Sequence, residues 1–252
     1  MNRLARSIAV PALVLVIWEA VVRLAHVSPA ILPPPTQVAS KWIEYLTSGE
    51  LPSDAAATLL RVVTGFIIGT VLALPLGLWM GAREKVYVVF NPLIQLLRPI
   101  PPIAFIPLAI LWFGLGNPPA FFLIALGAFF PVLMNTIAGV RNVDAIYVRV
   151  AQNLGAPPAT LFRRVLLPGA MPSILAGMRV GIGVAFICVI VAEMIAVNNG
   201  LGYRILEARE YFWSDKIIAG MISIGVIGLA IDGGMARLND RLLRWHRGIE
   251  NA

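Results

Sequence analysis

The sequence predicts an all-α polytopic membrane protein, with about six transmembrane helices in a single domain spanning residues 1–252. Of the 252 residues, 59% are apolar and only 13% are charged, whereas a typical soluble domain is about 45–50% apolar and about 25% charged. A soluble fold of this length could not bury that excess in one core, because much of its surface must face water. Several apolar runs also reach the roughly 20 residues that a helix needs to cross a bilayer.

Six stretches are predicted to span the membrane. In chain order they are about Ile8–Ala25, Leu59–Met80, Val86–Phe113, Ala120–Ala138, Ile174–Val197 and Ile217–Ala236. The first follows a basic start, as a secretory signal does, but residues 25–28 form a poor cleavage site, so we expect it to be retained. The third contains prolines at 92, 99, 101, 102 and 107 and should be broken, because proline removes a backbone donor.

The distribution of Lys and Arg predicts the orientation. With a cytoplasmic N-terminus, 14 of the 20 basic residues fall inside and 6 outside, and basic residues favour the cytoplasmic side. Both termini are therefore predicted to be cytoplasmic, together with the polar loop 139–173, and the basic tail Arg237–Arg247 opposes an odd number of spans. The net charge of +7 reflects this topology and not a nucleic-acid surface.

The segment of about 35–48, between the first two spans, has a helical pattern of its own. Thr36 follows three prolines as a candidate helix cap, and apolar residues recur at helical spacing through Val38, Trp42, Tyr45 and Leu46. We expect a short amphipathic helix that lies at the outer membrane surface as an interfacial anchor.

Small residues predict close helix packing. Glycines four residues apart let helix backbones approach each other, and the sequence contains three such pairs: Gly65 with Gly69, Gly77 with Gly81, and Gly177 with Gly181. The single cysteine, Cys188, lies in an apolar run and is expected to be a small buried residue.

The polar loop 139–173 predicts a helical hairpin in the cytoplasm. A first helix, Ala145–Leu154, should end at Gly155, because glycine tolerates a positive φ. A short second helix, about Pro158–Val165, should follow, and prolines at 168 and 172 should stop it before the fifth span. The second helix would present Leu161 and Phe162 beside two arginines, which suits either a protein contact or a packed surface hairpin.

This loop resembles the conserved loop of binding-protein-dependent ABC importer permeases, in which Glu-Ala-Ala, three residues, Gly, nine residues and Ile-x-Leu-Pro follow one another. Here Ala151 is followed by three residues, Gly155, nine residues and then the stretch Val165–Pro168. The sequence departs at the start, where Arg149 stands in place of the family's glutamate. The match from Gly155 to the proline is complete.

Five further motifs resemble the nitrate/sulfonate/taurine/bicarbonate branch of these permeases. They extend the resemblance over nearly the whole chain. In order they are Leu97–Leu108, Trp112–Gly116, Phe130–Pro131, Ala192–Met194 and Gly200–Tyr203.

The resemblance implies a type I ABC importer permease in a bacterial inner membrane. Two copies would pair as a homodimer, and each would place the helix near 156–164 in a groove of a separate ATPase subunit. A periplasmic or lipid-anchored binding protein would deliver the substrate. ATP and Mg would bind the two ATPase partners, while this chain would be non-catalytic, with no cofactor or metal of its own. The implied coupling residues are Gly155, Ala156, Pro157, Pro158, Leu161, Phe162, Arg163, Arg164 and Pro168.

The broken third span is a candidate part of the substrate path. Irregular backbone at membrane depth is tolerated only where protein or a water-filled cavity surrounds it. Arg98 stands before the break, Pro101 and Pro102 form it, and a helix starting near Ile103 would turn its positive end to the same cavity. These features favour an anion. The alternative is a proline kink whose Arg98 reaches lipid headgroups.

Three other polar residues in predicted spans are candidates for the path or for its outer gate. Asn135 and Thr136 could line it or serve contacts between helices. Glu193, just before a Gly-Leu-Gly turn, could shape an outer gate or bind neighbouring backbone. Two ion pairs are expected to be structural: Glu19 with Arg23, and Asp232 near Arg237.

Two other classes of protein were weighed. An ion-coupled secondary transporter would need paired repeats and coupling-ion sites, and the sequence has no clear repeat. A membrane enzyme would need a catalytic set, but the two histidines, His26 and His246, lie far from any matching acid or nucleophile. The chain also lacks a Gly-x4-Gly-Lys-Ser/Thr phosphate loop, so energy must come from a partner or an ion gradient. The substrate could be a small anion or, as in relatives of this branch, a thiamine-precursor pyrimidine or other small heterocycle.

Overall fold

The computed structural model describes the backbone of residues 3–243 and the side chains of residues 9–243. This part of the chain is helical and holds no β-strand, which confirms the predicted all-α class. The helices are α1 (Arg3–Leu24), α2 (Pro35–Thr47), α3 (Glu50–Ala82), α4 (Glu84–Leu97), α5 (Ile106–Phe113), α6 (Asn117–Arg141), α7 (Ala145–Asn153), α8 (Pro158–Leu161), α9 (Leu167–Ala196), α10 (Leu201–Glu210) and α11 (Ser214–Leu242). A 3₁₀ turn, Pro102–Phe105, precedes α5, and a π-helical segment, Phe162–Leu166, joins α8 to α9. Residues 244–247 of the basic tail lie outside the described residues.

Helices α3, α6 and α9 pack against one another along their lengths and form the core. The close approach depends on glycine: a Cβ on Gly65 would lie 2.6 Å from Ile124 Cβ, and one on Gly77 would lie 2.8 Å from Thr136 Cβ. All three glycine pairs predicted from the sequence face α6 in this way. The tight contacts therefore hold a single chain together. Cys188 is buried in the same core, as predicted.

Four helices of the described chain are long and apolar enough to cross a membrane: α3, α6, the continuous helix Pro158–Ala196, and α11. Helix α4 and the Pro102–Phe113 segment meet at a bend of 82°, and together they count as a fifth span if the bent pair crosses the membrane as one unit. This confirms the break predicted in the third stretch. The first predicted span is helical as α1 over 22 residues. Its described part is not among the helices that are long and apolar enough to cross a membrane, so the described chain has four or five such spans where six were predicted.

The helical hairpin predicted within residues 139–173 is present, and its first arm has the expected form. Helix α7 starts after Asp144, whose carboxylate accepts a 2.8 Å hydrogen bond from the Ile146 amide. The helix ends before Gly155, which adopts a φ of 73°. That angle lies in the left-handed region that glycine enters without steric cost.

The second arm differs from the prediction, because neither Pro168 nor Pro172 stops the helix. Residues 158–196 form one helix of 39 residues that runs from the hairpin into the fifth span. Pro168 lies in the first turn of α9, where its missing N–H is not needed. The π-helical segment before it, in which the Leu167 amide donates to the Phe162 carbonyl, changes the register so that the helix continues. Pro172 lies inside α9.

Helix α2 covers 13 of the predicted amphipathic residues, but it packs on protein instead of lying free at the membrane surface. Val38 and Tyr45 are buried, and the Trp42 indole donates a 2.9 Å hydrogen bond to Ser223 Oγ on α11. Only Leu46 of the predicted face stays exposed. The apolar stripe of α2 is thus a tertiary contact with α3 and α11.

Thr36 was expected to cap α2, but Pro34 holds the cap position. Thr36 instead binds Glu19: its amide and hydroxyl donate hydrogen bonds of 3.1 and 2.9 Å to the carboxylate. Glu19 also forms the predicted pair with Arg23, at 2.6 Å. These bonds join α1 to α2.

Asp232 forms the structural ion pair predicted for it, but its partner is different. The Arg179 guanidinium of α9 donates two hydrogen bonds of 2.7 Å to the Asp232 carboxylate on α11. The sequence suggested Arg237, which is close along the chain, whereas the fold brings Arg179 across from another helix. This bidentate pair links the last two long helices.

Candidate functional site

A buried polar cluster closes one end of the core, which we call the outer end after the orientation predicted from the basic residues. Its centre is the start of α10, where the backbone N–H groups of residues 200–202 have no acceptor within the helix. Side-chain oxygens of α3 and α9 accept all three. The bonds run from Gly200 N to Asp54 Oδ1 at 2.9 Å, from Leu201 N to Thr58 Oγ1 at 3.1 Å, and from Gly202 N to Glu193 Oε2 at 2.9 Å.

An ion pair lies beneath this turn. Arg61 NH1 lies 2.7 Å from Glu193 Oε1, and the two residues are only 4% and 0% exposed. The Thr58 hydroxyl donates a further 3.0 Å bond to the other Glu193 oxygen. Both Glu193 oxygens therefore accept hydrogen bonds. This arrangement agrees with the predicted alternative in which Glu193 binds neighbouring backbone, and its role in an outer gate stays a prediction.

The remaining donors of Arg61 reach two loops at the outer end. Nε donates to Asn117 Oδ1 at 2.8 Å, and NH1 also donates to the Asn199 carbonyl at 3.0 Å. NH2 donates to Asn199 Oδ1. Arg61 thus ties the start of α6 to the loop that follows α9.

Asp54 makes the second half of the cluster. Its Oδ2 accepts from the Tyr45 hydroxyl at 2.8 Å and from Arg204 Nε at 2.7 Å. Burial raises the pKa of Tyr45 above its usual range, and the bond to the Asp54 carboxylate raises it further, so the phenol stays a donor. We call Asp54, Thr58, Arg61, Glu193 and Arg204 the outer polar cluster; its two acids and two arginines balance in charge.

The Gly-Leu-Gly turn is required by these contacts. Gly200 has a φ of 105°, which L side chains rarely adopt. A Cβ on Gly200 would collide with the Glu193 carboxylate, and one on Gly202 with the Ile190 carbonyl. The turn can therefore approach α9 only with glycine at both positions.

Glu193 was a candidate from the sequence, but its partners in the cluster were not. Asp54, Thr58 and Arg61 lie on one face of α3 at positions i, i+4 and i+7, and that spacing of polar residues at the edge of an apolar run was a usable signal. In the sequence, Arg61 is one of the six basic residues predicted to lie outside. Its pairing with a residue 132 positions away is not visible in the sequence.

Three predicted pathway residues come together in a second place. A cleft of about 310 Å³, which we call the middle cleft, is lined by Arg98, Pro102 and Asn135, with the rest of its wall from Ile100, α6 and α9. Pro101 lies next to Pro102 at the bend but is not part of the wall, and Glu193 belongs to the outer polar cluster. The structure thus groups three of the five predicted pathway residues.

Arg98 is the charged group of the middle cleft. It is exposed, and no acidic side chain of residues 9–243 pairs with it. The Asn135 amide donates to the Pro131 carbonyl at 2.9 Å, and its Cβ packs against Gly177, so Asn135 both lines the cleft and serves a helix contact. Thr136 is buried and donates a hydrogen bond to the Val132 carbonyl of its own helix, so it does not line the cleft.

The hairpin forms a third feature, at the opposite, inner end. Leu161 and Phe162 are half-buried and face a groove of about 690 Å³ whose far wall is α3. Arg163 and Arg164 are exposed. Of the other predicted coupling residues, Ala156 and Pro158 line the same groove and Gly155 and Pro157 are exposed.

Helix α7 is more exposed than the second arm and carries an apolar face. The side chains of this face, which the sequence interpretation did not single out, are Ile146, Tyr147, Val150 and Leu154, and Leu154 is 81% exposed. Arg149 is exposed on the same helix. Exposed apolar side chains on a polar projection are typical of an interaction surface.

Comparison with known proteins identifies the class of molecule. Residues 69–244 match the family described as binding-protein-dependent transport system inner membrane component. The taurine transport system permease protein TauC of Escherichia coli (strain K12) is 36% identical over 249 residues, which cover 97% of this chain and 90% of that relative. The nitrate import permease protein NrtB of Synechocystis sp. (strain PCC 6803) is 31% identical over 236 residues, covering 90% and 85%.

Solved structures show the same fold. A chain of the MetNI methionine ABC transporter, in an inward facing conformation, superposes with a TM-score of 0.65 at 19% identity, covering 79% of this chain and 96% of that one. At this identity the likeness concerns the fold alone. It agrees with the type I permease fold that the sequence resemblance implied.

Proposed function

This chain belongs to the binding-protein-dependent transport system inner membrane components, and we propose that it is the permease subunit of an ATP-driven importer of a small anion. In this proposal two copies form a homodimer with both termini in the cytoplasm. Two separate ATPase subunits bind ATP and Mg, and a binding protein delivers the substrate. The chain itself carries out no chemical reaction.

The observation that carries the anion proposal is the middle cleft. An unpaired arginine next to broken helix ends, within a span bent by 82°, is expensive to keep at membrane depth unless it has a function. A negatively charged substrate would supply the missing partner. Relatives named for taurine and nitrate transport have substrates with negatively charged oxygens, which fits the same chemistry.

The hairpin is proposed as the contact with the ATPase. Its second arm brings Phe162, Arg163 and Arg164 to the inner end of a helix that continues without interruption into the membrane as α9. A displacement of the hairpin would therefore be transmitted along a rigid helix to both the middle cleft and the outer polar cluster. The exposed face of α7, with Tyr147 and Leu154, extends the proposed contact to the first arm.

The test is co-purification followed by transport. Tagged permease should retain a separate ATPase, and the assembled transporter in proteoliposomes, with its binding protein, should import one of four probes: taurine, ethanesulfonate, nitrate or bicarbonate. Uptake should stop when ATP is withheld. Uptake that follows an imposed ion gradient without ATP would instead establish a secondary transporter, and uptake of an aminopyrimidine in place of all four anions would refute the anion assignment.

A further inference from the structure

A cleft of about 370 Å³, which we call the outer cleft, opens at the outer end of the seam between α6 and α9. Two short segments form its walls: residues 115–117, which end at the first residue of α6, and residues 196–199, which begin at the last residue of α9. Arg61 lies at its base. The volume falls within the range of roughly 300–1,000 Å³ that small-molecule sites occupy.

Arg61 fixes the orientation of two amides in this cleft. A guanidinium has only donors, so the side-chain atoms that face it must be oxygens. Asn117 Oδ1 accepts from Arg61 Nε at 2.8 Å, and Asn199 Oδ1 accepts from NH2. The NH₂ group of each amide must therefore point away from Arg61. Both asparagines are exposed and line the cleft.

The outer cleft therefore presents hydrogen-bond donors and has no negatively charged group in its wall. Within residues 9–243, neither Asn117 Nδ2 nor Asn199 Nδ2 has a protein acceptor, and no carboxylate belongs to the wall. The nearest acid, Glu193, is fully buried, and Arg61 and Thr58 donate to it. Asn198 also lies at the rim, but no contact with Arg61 fixes the orientation of its amide, so it is not part of the proposed set of donors. Oriented amide donors suit the oxygens of an anion.

The outer and middle clefts lie on the same pair of helices. The wall of the middle cleft on α6 is formed by residues 126–135, which is roughly 14 to 27 Å along the helix from Asn117 at 1.5 Å per residue. Between the two levels, α5 runs beside α6, and Ala109, Leu123 and Ala192 form part of a buried apolar block. The second half of the broken span, Pro102–Phe113, thus starts at the middle cleft and ends two residues before the wall of the outer cleft.

We propose that the outer cleft is a binding site for a small oxyanion on its way to the middle cleft. Asn117 and Asn199 donate hydrogen bonds to the oxygens of the anion, and Arg61 is a positioning residue that holds both amides in the donating orientation. The ligand class is a sulfonate, nitrate or bicarbonate ion, released from the binding protein. The site rests on the proposed function, because it requires that the transported substrate is an anion.

Isosteric substitutions test the site directly. In Asn117→Asp or Asn199→Asp, one carboxylate oxygen can still accept from Arg61, so the loop stays in place, while the other oxygen turns toward the cleft where a donor had been. The matched control is Asn198→Asp, which places the same charge in the same loop at an amide that Arg61 does not hold. Each variant is assembled with its ATPase and binding protein in proteoliposomes, and uptake of the four anion probes is measured beside ATPase stimulation by the loaded binding protein.

We expect Asn117→Asp and Asn199→Asp each to slow uptake by about tenfold or more, because a charge-assisted hydrogen bond is replaced by repulsion. ATPase stimulation should stay within about twofold, and Asn198→Asp should change uptake much less. Equal losses in all three variants would show a general effect of charge and overturn the assignment. Parallel losses of uptake and stimulation would place the binding protein, and not a free anion, in the cleft.

The failure of this site can be told apart from failure of the proposed function. Normal anion uptake by the unaltered transporter with unchanged uptake by both variants would overturn the outer site alone. No uptake of any of the four anions by the unaltered transporter would overturn the proposed function and, with it, this inference.

Discussion

Replacing Glu193 with glutamine should destabilise the permease severely, although the two side chains have almost the same shape. Glu193 accepts three hydrogen bonds, two from side chains and one from a backbone amide. Arg61 donates to one oxygen, and Thr58 and the Gly202 amide donate to the other. Glutamine has one acceptor oxygen and one NH₂ group. If its oxygen faces Arg61, its NH₂ group faces the Gly202 amide, donor against donor; the reverse orientation opposes the guanidinium.

The magnitude follows from burial. Breaking a buried ion pair by neutralising one partner leaves an uncompensated charge and costs about 3–5 kcal/mol, and an unsatisfied buried donor adds about 1–3 kcal/mol to any such change. Since Arg61 is 4% exposed and Glu193 is fully buried, water has little access to the place of the lost charge. We therefore expect Glu193→Gln to lower the free energy of unfolding by at least about 3 kcal/mol. The matched control is Glu207→Gln, because the Glu207–Arg204 pair is about one-third exposed and such a pair contributes roughly 0–1 kcal/mol.

The assay is unfolding of the purified permease by sodium dodecyl sulfate in mixed micelles, followed by circular dichroism. A double-mutant cycle with Arg61→Met and Glu193→Leu should reveal a coupling energy of about 2 kcal/mol, because the double variant buries neither charge unpaired. A loss below about 1 kcal/mol in Glu193→Gln, or equal losses for Glu193→Gln and Glu207→Gln, would refute the view that this pair is a buried, water-excluded contact.

Three further outcomes are expected. Gly202→Ala should lower the free energy of unfolding by about 1–3 kcal/mol in the same assay, because its Cβ has no room beside α9. Gly234→Ala is the control and should be neutral or slightly stabilising, because a Cβ there meets nothing within 4 Å. Equal effects of the two substitutions would contradict the packing described. Arg98→Leu should reduce anion uptake by about tenfold or more while the ATPase still co-purifies, and unchanged uptake would remove the middle cleft from the path. Phe162→Asp should uncouple ATP hydrolysis from uptake, whereas Arg149→Ala should matter less; full uncoupling by Arg149→Ala alone would move the essential ATPase contact to α7.

Much of the fold was predictable because lipid imposes simple rules on sequence. Long apolar runs must become helices, so α3, α6, α9 and α11 were located from composition and length. Glycine and proline act through their own backbone geometry, which is why the positive φ of Gly155 and the break at residues 99–102 were foreseen. The effect of Pro168 was predicted wrongly, because it depends on the helical register that the π-helical segment just before it sets.

Partners across helices were not predictable. The pairs Glu19–Arg23 and Asp144 with its own helix are local, and the sequence contains all that determines them. Asp232 was assigned to Arg237, five positions along the chain, but in the fold it pairs with Arg179, 53 positions away. The amphipathic face of α2 could be recognised from its periodicity, yet only the structure decided that protein and not membrane covers it.

The sequence alone thus determined that the protein is helical and polytopic, because hydrophobicity and backbone chemistry are properties of single residues and short segments. The arrangement of its clefts was decided by the tertiary structure. Arg61, Glu193 and Asn199 become one unit only when α3, α6 and α9 pack closely enough for their ends to meet. A hydrogen bond depends on distance and direction, and neither is encoded in the spacing of residues along a chain.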